Sequence, residues 1–504
     1  MPLLLAGCGG VMAEEKVEWQ CGVNDSKKVE WDGGVSGKTV DEGVVLSYRN
    51  LTIRFRSSIE IDPVKLCDEI GAEASEILKV KFKLFEEEVK QPLSCDRLKR
   101  ILGVTVKRDD VNKVIVFLAM LSAYTQESQF NVSFRAPSST GKSYIPLELA
   151  YYFPQEDVLV LAYSSPTSFF HDNGEWDEDA RSYIMNLENK IVIFLDQPHD
   201  LLLQRLRPLL SHDKRELIVK ITDKSEKRGL RTKTVVIKGF PSVIFCSGSL
   251  KMDEQEQTRS ILLSPEVAEE KIREAIFLKA MRKGNPLAYA AFLEEHPERK
   301  ILRERVKKIK EEKIRYILIP QFERVVEKFL ASRKVLKPRH QRDIERIISL
   351  IQAFALLNLW HRKRTEENDI YANEEDVEEA FKLYSEIEES QELGIPPYVY
   401  MIYRDVIKPL IAERSKKSPD PVGVTRKDIM RKHFEVFGRI IPEYLLKQEV
   451  IPALESSGLI YQEPDPDDRR RVLIFCTDQH PLYNTSDYRD RVLDALAKVE
   501  KVDD

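Results

Sequence analysis

Four short, uninterrupted apolar runs dominate the first half of the chain: Asn131–Phe134, Val158–Ala162, Ile191–Leu195 and Ser242–Cys246. A strand covered on both faces needs apolar side chains at successive rather than alternate positions, so these runs predict buried parallel strands in a doubly wound α/β sheet. Ahead of them, residues 1–45 are rich in Gly, Asp and Lys without periodicity and read as a disordered lead-in. A strand candidate at Val44–Phe55 opens a mostly helical but unassigned region, 46–104, and the apolar Val114–Ala123 continues the helical pattern. Before the fourth run, Glu216–Thr222 and Thr232–Lys238 are β-rich and joined by a polar, glycine-containing connection, which predicts a hairpin. From about Pro265 to residue 415 the pattern is helical, with charge-laced stretches at Lys300–Lys313 and Asp343–His361. The segment 417–478 reads helix, helix, then Leu459–Gln462 and Val472–Phe475 around the turn-rich Glu463–Arg470, the order of a winged helix. No internal repeat is visible.

Composition narrows the class more than the function. At 504 residues with 42% hydrophobic content the chain can build several cores, roughly two to four domains. A net charge of −5 means that any nucleic-acid site must be a local basic patch. The six cysteines, Cys8, Cys21, Cys67, Cys95, Cys246 and Cys476, form no C-x-x-C pair and have no histidines at ligand spacing. That argues against a disulfide framework or a zinc site and fits a reducing cytoplasm. The opening Met1–Cys8 has the look of a lipoprotein box, but it lacks a basic flank and a full apolar stretch, and we read it as disordered. No run approaches the ~18 apolar residues of a membrane helix.

The chemistry concentrates at Ala136-Pro137-Ser138-Ser139-Thr140-Gly141-Lys142-Ser143, directly after the first apolar run and before a helical stretch. This is a phosphate-binding loop with Ala136 at the first glycine position. Backbone N–H groups and the following helix N-terminus would cradle the phosphates of ATP, Lys142 would reach the outer ones, and the Ser143 hydroxyl would ligate Mg²⁺. A chance Gly-Lys-Ser in a turn would lack the flanking strand and helix. The run Ile191–Leu195 ends in Asp196-Gln197, making Asp196 the magnesium-side acid, while Gln197 stands where a glutamate would polarise the attacking water. Glutamine can orient water but cannot take its proton, so slow hydrolysis or a base from elsewhere stays open. Ser247, at the end of the fourth run, is positioned to sense the γ-phosphate, and Arg259 beyond it suits a finger reaching a neighbouring subunit's nucleotide. Lys224, Lys227, Arg228 and Arg231 make the hairpin connection basic, able to grip phosphates without reading sequence.

Taken together, these residues resemble the AAA+ ring helicases related to the minichromosome maintenance (MCM) family, in the divergent form found on phages, plasmids and other mobile elements. The resemblance covers about residues 105–390 plus the C-terminal winged helix. It rests on the loop 136–143, the Asp196 strand, the inserted hairpin, and a helical segment Arg342–Asn358 followed by Asn373–Ala380. It implies that Arg342 leads a sensor helix and contacts nucleotide. It also implies an AAA+ core at 105–265, a helical lid at 266–400, a winged helix at 401–480 and a tail at 481–504. The implied activity is ATP- and Mg²⁺-dependent DNA unwinding by a homohexamer with single-stranded DNA in its pore, with a primase as a candidate partner. Gln197 and Ala136 depart from the family pattern, and the N-terminal zinc-bearing oligonucleotide-binding domain of the cellular enzymes is not recognisable. The alternative is an ATP-gated DNA-binding initiator or helicase loader with little hydrolysis.

Overall fold

The computed structural model describes residues 35–40, 43–48, 51–70, 72–162, 175–179, 181–223, 231–250, 258–333, 335–416, 422–466, 468 and 470–479. The chain divides into two compact units, one running to Gln91 and including Glu294–Leu302, the other comprising Pro92–Leu293 and the chain from Arg303 onward.

In the first unit, β1 (Ser36–Val40), β2 (Gly43–Tyr48) and β3 (Leu51–Phe55) form an antiparallel meander. It is followed by α1 (Pro63–Ile70) and α2 (Ala74–Lys90). Val44, Leu46 and Ile53 pack against Ile61, Leu66, Ile77 and Leu84. Part of the segment read as a lead-in is a strand: Thr39 and Lys38 pair with Val44 and Val45, so this polar-looking stretch is the edge of a sheet.

The second unit opens with α3 (Cys95–Gly103) and α4 (Asp110–Ser122). From Asn112 to Ser122 every residue of α4 is buried, because helices and sheet cover it on all sides. Next come β4 (Asn131–Arg135), the short α5 (Tyr144–Leu149) and β5 (Val158–Leu161). Two further strands, β6 (Glu175–Asp177) and β7 (Ser182–Asn186), precede β8 (Ile191–Phe194) and α6 (Asp200–Leu210). The hairpin is β9 (Glu216–Asp223) with β10 (Arg231–Lys238), and β11 (Ser242–Ser247) and β12 (Ser260–Leu263) complete the strands of the core. The core sheet is five-stranded and parallel, in the order β12-β4-β11-β8-β5. All four apolar runs are strands in it; β12 is an addition that the sequence pattern did not suggest.

The hairpin belongs to a second sheet, β6-β7-β10-β9. Only Val235–Lys238 of β10 pair with β7, whereas β9 and β10 pair along eight positions, from Arg231 with Asp223 to Lys238 with Glu216. The distal half of the hairpin is therefore a two-stranded ribbon extending past its sheet. At its root Gly239 has φ +84°, and a Cβ there would lie 2.5 Å from the Glu188 backbone nitrogen, so only glycine fits.

Beyond the core, helices α7 (Glu269–Gly284), α8 (Pro286–Glu294), α9 (Glu298–Glu312), α10 (Phe322–Ala331), α11 (His340–Leu357) and α12 (Glu374–Ser385) follow. A small parallel pairing of Ile317–Leu318 with Ile370–Tyr371 interrupts them. A capping box between Asn373 and Asp376 starts α12. The C-terminal module is built from Pro397–Ser415, which is helical throughout, α13 (Arg426–Phe437), the helical Glu443–Ser456, and the hairpin β13 (Ile460–Pro464) and β14 (Val472–Cys476). Val424 adds a bridge to Ile474. One core spans the module, from Ile395 and Tyr398 through Ile429 and Leu446 to Ile474, so its packing begins slightly before residue 401. No helix among the described residues is long and apolar enough to cross a membrane.

Candidate nucleotide site

The chain leaves β4, crosses to the far edge of the sheet at β5, and returns through β8 and β11 to lie beside β4 again. Ligands of open parallel sheets bind at the carboxyl ends of the strands, at such switch points. The loop 136–143 lies there. Ala136 is fully buried at the strand end, while Ser138 and Ser139 are exposed. Ser139 and Gly141 take positive φ, +66° and +98°, the left-handed region that favours glycine. At Gly141 an added Cβ would meet nothing; its glycine is demanded by φ alone. Thr140 Oγ1 and Lys142 Nζ both donate to the Pro137 carbonyl, at 3.0 and 2.8 Å. Burial holds the Lys142 ammonium below the usual lysine range, with Asp196 among the groups pulling it back up. Helix α5 begins at Tyr144, directly after the loop as the sequence pattern predicts, and spans six residues before a 3-10 turn.

Two neighbouring strands bring their ends to this loop. Cys246 of β11 places its Sγ 3.5 Å from the Lys142 carbonyl and in hydrogen-bond contact with Ser143; burial pushes its thiol up to about 12, so it stays neutral. Gly248 is close enough that a Cβ there would sit 4.0 Å from Ser138 Oγ. Asp196, exposed just past β8, acts electrostatically on both Lys142 and Cys246. Ser143, which makes no capping hydrogen bond to α5, and Asp196 supply hard oxygen donors of the kind magnesium takes. The Asp196 carboxylate also accepts the Gln197 N–H at 2.8 Å. Gln197 Oε1 is buried and accepts no hydrogen bond from the described protein atoms.

The remaining expected residues lie elsewhere. The Ser247 hydroxyl is engaged with the Ser249 backbone, accepting its N–H at 3.2 Å, rather than turned to the loop. Arg259 precedes Ser260, which pairs with Asn131 at the start of β4, so it sits at the opposite end of the sheet from the loop, with Nε donating to Ser211 Oγ at 2.6 Å. Arg342 hydrogen-bonds Thr258, next to Arg259. Arg342 is thus brought to Arg259 and not to the loop of its own chain, because α11 packs so that its first turn faces the start of β12. Of the basic hairpin residues, Arg231 begins β10, and Lys224, Lys227 and Arg228 lie outside the described residues.

Sequence reasoning missed the cavity beside the loop, about 220 Å³, whose walls include Ser139, Thr140, Gly141, Tyr144, Thr105 and Arg439. Its floor is held by Asp109, whose Oδ1 accepts from Asn112 Nδ2 at 2.8 Å and Glu266 N at 2.7 Å while Lys271 pairs with the same carboxylate. The buried Lys113 ammonium fixes the adjoining segment by donating to the Arg108 carbonyl at 3.1 Å and pairing with Asp110 at 2.5 Å. Tyr144 Oη donates to the Thr105 carbonyl at 2.9 Å. These residues come from four separate segments, and only the loop segment carries a motif.

A parallel sheet with flanking helices and a phosphate loop at a switch point fits the α/β P-loop nucleotide-binding class. No family model matches the chain, and no curated protein matches its sequence. Among solved structures it is similar to a full-length MCM homolog from Methanopyrus kandleri, with 13% identity over 68% of this chain and 67% of that one and a TM-score of 0.35. It is also similar to the SCCmec type IV Cch active helicase, with 11% identity, 86% and 90% coverage and a TM-score of 0.31. A third match is the NrS-1 C-terminal region, with 15% identity, 77% and 76% coverage and a TM-score of 0.24. At such loose superposition the class rests on this chain's own sheet order and loop.

Proposed function

We propose that this chain is an ATP-driven DNA helicase or translocase of the MCM-like AAA+ kind, acting as a homohexameric ring in the cytoplasm in replication of a mobile element, with a primase as a candidate partner. The observation that carries the proposal is the convergence, at the carboxyl ends of β4, β8 and β11, of the loop 136–143, Asp196 and Gly248. ATP with magnesium fits there: loop N–H groups and Lys142 would bind its phosphates, Ser143 and Asp196 would hold the ion, and the ion would neutralise charge building on the outer phosphates. Gln197 would align the attacking water. Arg259 and Arg342, together at the far end of the sheet, would serve a neighbouring subunit's nucleotide in a ring. The ribbon β9–β10 would carry its basic connection to DNA in the pore, helices 266–400 would act as the lid, and the C-terminal module would be a winged helix.

The initiator reading is favoured by one observation, the amide of Gln197 where a proton acceptor is expected. ATP turnover measured with and without single-stranded DNA separates the two. The motor predicts hydrolysis stimulated by DNA; stable binding of ATP and DNA with no turnover under either condition would favour the initiator.

A further inference from the structure

The C-terminal module touches the nucleotide site at two points. Glu449 accepts the Leu250 N–H at 2.6 Å, gripping the backbone just after the Ser247–Ser249 turn that lies against Ser138. Arg439, in the connection after α13, lines the cavity that Ser139, Thr140 and Gly141 also line. Its position is built, not incidental. Gly438 turns the chain at φ +66°, and the buried His433 clamps the next residue through Nδ1, 2.8 Å from the Arg439 carbonyl. Since that partner can only accept, Nδ1 carries the ring proton. The Arg439 side chain hydrogen-bonds the Tyr398 phenol, and among the described residues its Nη2 has no hydrogen-bond partner.

The cavity's charge suits an anionic ligand. Asp109 is already matched by Lys271, while Lys107, Lys279 and Arg439 stand on its walls against one other carboxyl, Glu266. Arg439 faces this space from a module whose other end holds the segment after β11. A ligand seated between the loop and Arg439 would therefore bind core and module together.

We propose that Arg439 contacts the nucleotide held by the loop of its own chain, so that the C-terminal module closes on the nucleotide and its seating depends on nucleotide binding. This rests on the loop 136–143 binding nucleotide. Any surface of the module that engages DNA is then thermodynamically linked to the nucleotide site, with each ligand altering the other's affinity by the same factor.

The test is a titration of the full chain with a fluorescent ATP analogue, using wild type, Lys142→Ala, Arg439→Ala and Arg439→Lys. Arg439→Ala should weaken binding about tenfold, which corresponds to ~1.4 kcal/mol, and Arg439→Lys should fall between it and wild type. The melting temperature without nucleotide should stay near that of wild type. Independently of any folding defect in the variants, hydrogen exchange at residues 433–441 of the wild type should slow when ATP is added and should not slow in Lys142→Ala. Wild-type affinity in Arg439→Ala, or unchanged exchange at 433–441 with ATP bound, would overturn the proposal while leaving the loop reading intact. Failure of the wild type to bind ATP would overturn both.

Discussion

Lys142→Ala should abolish measurable ATP hydrolysis, a loss of at least about 100-fold, the scale seen when one preorganised charge-stabilising donor is removed, and should weaken nucleotide binding as well. Lys142 is the one side-chain cation within the loop 136–143, and its Nζ lies over that loop, 2.8 Å from the Pro137 carbonyl. Its partial burial, which lowers its pKa, also means that its charge acts in a medium less screened than water. Mixing sharpens the result. Arg259→Ala subunits, with an intact loop, combined with Lys142→Ala subunits, with an intact arginine, should recover part of the turnover that neither has alone. The sheet geometry motivates this, since Arg259 and the loop occupy opposite ends of β4 and β12. Full turnover in Lys142→Ala would remove the loop from the chemistry; absent recovery in co-assembled mixtures would confine Arg259 to its contact with Ser211.

The second large effect is a gain. Gln197→Glu should raise steady-state turnover, because a carboxylate at this place can take the proton that an amide cannot, and general-base catalysis contributes ~10²–10⁴-fold. Gln197 directly follows Asp196 at the end of β8, and its Oε1 is not engaged by any described protein donor. The gain should fall in kcat, with KM for ATP changed little, since Gln197 is not in the phosphate cradle. No gain over a wild type that already turns over at an ordinary rate would place the base on another residue.

The core was legible in the sequence where burial is symmetrical. Strands β4, β8 and β11 are buried at every described position, and unbroken apolar runs are how such strands look in a sequence. Strand β12 is equally buried, but only three of its residues are apolar, set between Ser260 and Ser264-Pro265, a shorter apolar run than those of β8 and β11. Strands β6 and β7 were missed for the opposite reason: they are partly exposed and carry no clean alternation. The loop was legible because its chemistry needs particular residue types at fixed spacing. Side-chain direction was not. Arg342 begins a helix whose packing sends it to Thr258, and Ser247 spends its hydroxyl on its own turn. Arg439 lies roughly 300 positions from the loop and is brought to it by the packing of a whole module, something no local pattern encodes.

The central claim, that nucleotide chemistry at this loop drives movement along DNA, is tested most directly by displacement of a labelled strand from a partial duplex by the purified full chain. The account predicts that the strand is released in the presence of ATP and Mg²⁺, that a non-hydrolysable analogue does not support release, and that Lys142→Ala is inactive under the same conditions. Tight binding of both ATP and the duplex with no strand released, by a preparation shown to be folded and assembled, would contradict it.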